Sequence, residues 1–153
     1  PMPDELIAKI EASAKFNQGF ITVEYLAASY LDMDWHTLTD TEQRDPLAFE
    51  KASMDRIGLI PEILPRYRSQ YFQHIFAGGY SSGYYSYVWA QVLDADAFAA
   101  FQETDLFDAD LARAFEENIL SKGGSADAMT LYKRFRGAAP SVEALLKRKG
   151  FAL

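Results

Sequence analysis

The stretch Asp45-Pro46-Leu47-Ala48-Phe49-Glu50-Lys51-Ala52-Ser53-Met54-Asp55-Arg56-Ile57-Gly58 sets the fold class. Its first residue suits a helix N-cap, because a carboxylate accepts from the free N–H groups of a first helical turn. Proline follows at the first helical position, where its missing N–H costs nothing. Leu47, Met54 and Ile57 recur at helical spacing, and Gly58 stands where a C-terminal cap belongs. Start, stripe and stop all predict one helix here.

The same punctuation recurs outward from this stretch. Residues 4–15 carry Leu6, Ile7 and Ile10 as a helical stripe. Residues 20–31 follow Gly19 and include Phe20, Val23, Tyr25, Leu26 and Tyr30, apolar nearly all round. That pattern predicts a helix covered from more than one side. Toward the C-terminus, Asp108 or Asp110 opens a helix with the stripe Leu111, Phe115, Ile119 and Leu120, ended by Gly123-Gly124. Ser125 is the expected cap of a segment carrying Met129, Tyr132 and Phe135 and closed by Gly137. Pro140-Ser141 start a last short helix with Leu145 and Leu146 inside and Gly150 after it. Two-residue alternation is sustained nowhere, and no Asn-Gly or Asp-Gly hairpin turn occurs. The expected fold is all-α, a single helical region over residues 1–153 without repeats or low-complexity linkers.

Composition narrows the function. Apolar residues make up 49% of the 153-residue chain, enough for a packed core. Fifteen Lys and Arg against 22 Asp and Glu leave a net charge of −7, which argues against nucleic-acid binding. Lys133, Arg134, Arg136, Lys147, Arg148 and Lys149 form a local basic exception opposed in that stretch by Glu143 alone. Cations are favoured in the last turns of helices by the helix dipole, which accounts for them. Cysteine is absent, which excludes disulfides and thiolate metal sites. No apolar run approaches the ~20 residues of a membrane span, and no secretory leader is read at the start. A cytoplasmic protein with neither membrane nor nucleic acid as partner is the expectation. The opening Pro1-Met2-Pro3 fits either a removed initiator methionine or a cut boundary.

One segment breaks the helical pattern. Phe76-Ala77-Gly78-Gly79-Tyr80-Ser81-Ser82-Gly83 holds three glycines and two serines in eight residues. Tyr84-Tyr85-Ser86-Tyr87-Val88-Trp89 then resumes helical spacing, with Ser81 or Ser82 as the expected N-cap. Tyr80, Tyr84, Tyr85 and Tyr87 are four of the nine tyrosines. Residues alone leave two readings open. Tyr84 and Tyr87 on one helix face could donate to a carbonyl or oxyanion, or the set could be an aromatic core stripe.

His74 precedes the loop, and His36 lies in Asp32-Met33-Asp34-Trp35-His36. Two imidazoles on one helical face, as in His-Glu-x-x-His, would make a zinc site, but Gly78 and Asp40 stand four residues beyond the histidines. No metal ligand is assigned to this chain. His36 reads as a surface or partner-packed histidine, and His74 as a donor toward substrate or a structural histidine. Asp32-x-Asp34 and Asp108-x-Asp110 lack the glycine and glutamate of a calcium loop and read as helix-end acids. Gly78-Gly79-x-x-x-Gly83 lacks the ending of a phosphate loop, and Glu116-Glu117 point in different directions on a helix. No Gly-x-Ser-x-Gly elbow offers a serine nucleophile.

From Tyr71 to Trp89 the sequence resembles the His…Gly-Gly-Tyr-x-x-x-Tyr-Tyr-x-Tyr-x-Trp segment of the thimet oligopeptidase family of zinc metallopeptidases. The six-residue step from His74 to Tyr80 resembles its bacterial peptidyl-dipeptidase and oligopeptidase A branch. Asp94-Ala95-Asp96-Ala97-Phe98, Ile119-Leu120-Ser121-Lys122-Gly123-Gly124-Ser125 and Phe135-Arg136-Gly137 fit as well, and Phe151-Ala152-Leu153 sits where such enzymes end. The resemblance implies the helical C-terminal part of a channel-type catalytic domain. It implies Tyr80 and Tyr87 as substrate-binding, oxyanion-stabilising residues, with Tyr84 lining the same pocket. It also implies that His74 hydrogen-bonds the substrate backbone and that Gly78-Gly79 form a mobile loop, with Tyr85 expected to face the core instead.

The family's zinc, its His-Glu-x-x-His motif and its further glutamate lie upstream of the matching region. Zinc is thus implied for the complete enzyme and none for this chain alone. The expected partners are short peptides and the remainder of the catalytic domain, with self-association of the isolated chain. The contrasting expectation is a catalytically silent helical module that binds peptides or another protein.

Overall fold

The computed structural model describes residues 1–151; Ala152 and Leu153, on which the proposed chain-end match partly rests, lie outside the described residues. Those residues form helices and no strands: α1 (Asp4–Ala14), α2 (Gln18–His36), α3 (Pro46–Arg56), α4 (Gln73–Phe76), α5 (Ser86–Glu103), α6 (Ala109–Phe115), α7 (Ala128–Arg136) and α8 (Glu143–Lys149). A 3₁₀ turn at Ser69–Tyr71 precedes α4, and a π-helical turn at Glu116–Leu120 follows α6. The all-α expectation holds. The chain divides into two compact units, Pro1–Val88 and Trp89–Leu153.

The first unit is built around α2. Ala27, Ala28 and Leu31 of that helix meet Met54 of α3, Phe72, Ile75 of α4 and Tyr84 in one buried cluster. Leu31, Phe72 and Ile75 are essentially inaccessible. Burying a side chain of that size stabilises by about 1.5–3 kcal/mol. Trp35 packs on Phe49 with ring centroids 3.9 Å apart. Helix α3 starts as read: Asp45 accepts from the Ala48 N–H at 2.8 Å, and Pro46 is the first helical residue. Its buried face is Glu50, Ser53 and Met54, so Leu47 points to solvent instead of joining the stripe. Inside this unit the buried Glu50 accepts from the Ser69 N–H at 2.8 Å and pairs with Arg68.

Helix α2 corrects the expectation of a helix covered on several sides. Its buried residues Ala27, Ala28, Ser29, Leu31 and Asp32 lie within a single stretch, while Phe20, Val23, Leu26 and Tyr30 are exposed. Leu6, Ile7 and Ile10 of α1 are also exposed, and that helix buries no residue.

In the second unit Val92 and Ala95 of α5 pack with Leu145 of α8. Phe101, Phe115 and Phe135 form an aromatic set with centroid separations of 5.1 to 6.4 Å. Asp108 is the cap of α6, accepting from the N–H groups of Asp110 and Leu111. The π turn adds a residue to the helical register, and Leu120 leaves the stripe for solvent. Ser125 does not cap α7. Its N–H closes a turn onto the Lys122 carbonyl, and Asp127 takes the cap role by accepting from the Thr130 N–H at 2.8 Å. The last helix begins at Glu143, later than Pro140-Ser141, with the Ser141 hydroxyl accepting from the Glu143 N–H. No described helix is long and apolar enough to cross a membrane.

Candidate functional site

The glycine-tyrosine segment lies between α4 and α5, and its path follows from two glycines. A Cβ on Gly78 would fall 2.5 Å from the His74 carbonyl oxygen and 3.0 Å from the His74 Cα, so only glycine passes there without displacing backbone. Gly79 follows at φ +79°, a left-handed conformation that other residues adopt at a cost. The Ser81 hydroxyl then donates to the Ile75 carbonyl at 2.6 Å, and the Gly83 N–H to the Tyr80 carbonyl at 2.8 Å.

Neither Ser81 nor Ser82 caps the following helix. Helix α5 starts at Ser86, and Ser82 is held at φ +56°. The reason lies fifty residues back, in α2. The Asp32 carboxylate accepts from the Ser82 N–H through Oδ1 and from the Tyr84 N–H through Oδ2, both at 2.9 Å. His36 Nδ1 sits 2.8 Å from Asp32 Oδ1 and 2.9 Å from the Asp32 carbonyl oxygen. Both neighbours are acceptors, so Nδ1 carries a proton. Asp32 is 0% exposed. It is not the helix-end acid that the Asp32-x-Asp34 spacing suggests but the buried tie between α2 and the loop. Its one signal in the sequence is position: it stands four residues after Ala28 on the helix, with His36 four residues further on.

The tie brings three of the expected site residues together. Tyr80 and Tyr87 stack with ring centroids 5.2 Å apart, and the His74 ring meets Tyr80 edge-on at 4.6 Å. The Tyr87 hydroxyl and His74 Nε2 are hydrogen-bonded at 3.1 Å. Tyr80 is exposed and Tyr87 half-buried. Tyr84, at 2% exposure, lies behind them in the core, its ring 5.0 Å from Phe72 and 5.3 Å from Tyr25. Tyr85, a core candidate from sequence, points to solvent.

The electrostatics hold the Tyr87, Tyr84 and Tyr25 phenols in the protonated form. Hydrogen bonding with the Tyr80 hydroxyl, followed by loss of solvent, pushes the Tyr87 hydroxyl up to about 12. Burial raises Tyr84 further, and the Tyr25 phenol lies above its ordinary value for the same reason. A phenol hydroxyl is a hydrogen-bond donor, so Tyr80 and Tyr87 can together hold a carbonyl oxygen or an oxyanion. Among the described residues no three His, Asp or Glu come together as metal ligands. His74 Nε2 is engaged by the Tyr87 hydroxyl and His36 Nδ1 by the Asp32 carboxylate.

The first unit also carries an open apolar groove of about 630 Å³ between α2 and the segment after α3, lined by Val23, Leu26, Tyr30, Ile57, Leu59 and Ile63.

Comparison with known proteins places the chain. The family model for Peptidase family M3 matches residues 1–151. The chain is 42% identical over 151 residues to dipeptidyl carboxypeptidase of Escherichia coli (strain K12), covering 97% of this chain and 22% of that protein. It is 36% identical to oligopeptidase A of the same organism, covering 98% of this chain and 22% of the relative. With the organellar oligopeptidase A of Arabidopsis thaliana the identity is 33%, over 97% of this chain and 20% of the relative. The chain thus spans about a fifth of the length of these relatives.

Proposed function

The chain belongs to peptidase family M3, and we propose that it is the substrate-gripping, C-terminal portion of a zinc-dependent peptidyl-dipeptidase or oligopeptidase that hydrolyses short peptides in the cytoplasm. The observation that carries this reading is the packing of Tyr80, on the glycine-shaped loop, with His74 of α4 and Tyr87 of α5 within hydrogen-bonding or stacking distance. In this reading the phenols of Tyr80 and Tyr87 donate to the scissile carbonyl and hold the tetrahedral oxyanion, a charge that fixed donors stabilise strongly. His74 gives its hydrogen bond to the peptide backbone once substrate displaces Tyr87. Gly78 and Gly79 shape the loop that closes on the peptide, and Tyr84 backs the site from the core.

Zinc and its ligands belong, in this proposal, to the remainder of the catalytic domain. That remainder is the macromolecular partner, and the exposed apolar side chains of α1 and α2 offer it a surface. The names of the relatives, dipeptidyl carboxypeptidase and oligopeptidase A, support peptides as the substrate class. The same exposed apolar surface gives a reason for the isolated chain to self-associate.

The test uses two proteins. Tyr87→Phe in the complete enzyme removes one oxyanion donor and should lower kcat about 10²–10³-fold on a short blocked peptide. Unchanged turnover would sink the assignment. The chain alone, with added zinc and then with a chelator, is expected to show no cleavage. Chelator-sensitive cleavage by the chain alone would refute the division of labour proposed here.

A further inference from the structure

We propose that Asp32, held by His36, is the positioning residue of the catalytic loop: its carboxylate fixes the backbone between Tyr80 and Tyr87 so that both phenols meet the same oxygen. The inference rests on the reading of those tyrosines given above.

The geometry supports a directional task. Asp32 is 0% exposed and spends both carboxylate oxygens on the loop, accepting from the N–H groups of Ser82 and Tyr84 at 2.9 Å each. These residues lie between Tyr80 and Tyr87 in sequence, and Ser82 is in the left-handed conformation at φ +56° that lets both N–H groups turn toward one carboxylate. Taking a carboxylate out of water is expensive, whereas an apolar side chain in the same place would fill the space at less cost. Apolar contact, however, fixes no orientation. Two hydrogen bonds from alternate residues fix both the position and the rotation of the segment. His36 Nδ1 at 2.8 Å completes the set and locks the carboxylate on the α2 side. The His36 ring also packs 5.5 Å from Phe76, where the loop begins. Each end of the segment is therefore referenced to one turn of α2.

The experiment is a double-mutant cycle in the complete zinc enzyme, read by steady-state kinetics on a short blocked peptide, with zinc content and far-UV circular dichroism measured on every variant. Asp32→Asn preserves shape and leaves one acceptor oxygen, so one loop N–H loses its partner. A displacement of about 1 Å at the reacting centre can cost on the order of 10²-fold, so a drop in kcat of at least about tenfold is expected. A merely structural lesion would lower the active fraction by the same factor in any background. Positioning instead predicts non-additivity: in a Tyr87→Phe background, Asp32→Asn should cost much less than in the parent. An equal fold-loss in both backgrounds, or an unchanged kcat, overturns the inference.

If Asp32→Asn fails to hold zinc or helix, His36→Gln removes only the outer support. It should lower kcat in the same direction and again be non-additive with Tyr87→Phe; an unchanged kcat there overturns the inference. The parent reading is tested separately. Loss with Tyr87→Phe but additive behaviour of the α2 variants overturns the positioning role alone, whereas full activity of Tyr87→Phe overturns the tyrosine reading and this role with it.

Discussion

Replacing Gly78 by alanine tests the loop geometry with the smallest possible change. The added Cβ would stand 2.5 Å from the His74 carbonyl oxygen, 3.0 Å from its Cα and 3.1 Å from its carbonyl carbon. Ordinary contact begins at 3.4 Å, so the two backbone segments must separate by about 0.9 Å (3.4 less 2.5). All three obstructing atoms are backbone, and no flexible side chain can yield. His74 is poorly placed to retreat, because its neighbours Phe72 and Ile75 are 1% and 0% exposed. The cost expected for such overpacking is about 1–3 kcal/mol. Gly78 is not in the left-handed region, so this cost is steric throughout.

Gly79 supplies the internal control. A Cβ there meets nothing within 4 Å, but the residue is at φ +79°, so Gly79→Ala should cost about 1–2 kcal/mol through backbone strain alone. Urea unfolding followed by tryptophan fluorescence suits both variants, since Trp35 packs on Phe49 inside the same unit. The two differ most in the site itself: Gly78→Ala should lengthen the 3.1 Å bond between His74 and Tyr87, whereas Gly79→Ala should leave His74 in place. A Gly78→Ala protein within about 0.5 kcal/mol of the parent would refute the close-approach argument, because a surface substitution without a mechanism falls in that range.

Three further outcomes are expected. Asp45→Ala removes the cap of α3, whose carboxylate accepts from the Ala48 N–H at 2.8 Å, and should destabilise by about 1 kcal/mol in the same urea assay. In an alkaline titration followed at 295 nm, the Tyr87 phenolate should form near 12, and that component should vanish in Tyr87→Phe. Its folded pKa is raised above the unfolded value of about 10. The stabilisation is therefore complete below that value and is lost as pH climbs through 12. Asp127 behaves oppositely. The Thr130 N–H and hydroxyl lower its pKa, so its contribution is present above the unfolded carboxylate value and disappears as pH falls through the folded one. Asp127→Ala should flatten that part of the acid side of the stability profile.

The helices were legible because their ends are decided within a few residues. Asp45-Pro46 opens α3, Asp108 caps α6, and Gly137 and Gly150 close α7 and α8, all as the sequence predicts. Those caps depend on local N–H and carbonyl groups that no distant residue needs to supply. Where a closer competitor existed, local reading failed. Asp127 displaced Ser125 because the charged acceptor stood at the actual helix start, and Leu120 left its stripe when a π turn shifted the register.

The site divides the same way. Sequence determined that Gly78 and Gly79 bend the chain beside His74 and that tyrosines crowd the following turn, since both are properties of adjacent residues. Only the tertiary structure decided which tyrosine is buried and which is offered outward. Tyr84 and Tyr85 are neighbours with the same side chain, yet one is 2% and the other 53% exposed. What separates them is the Asp32 carboxylate, fifty-two residues from the Tyr84 N–H it accepts from. A hydrogen bond of that reach leaves no periodicity in either segment, so packing alone brings donor and acceptor together.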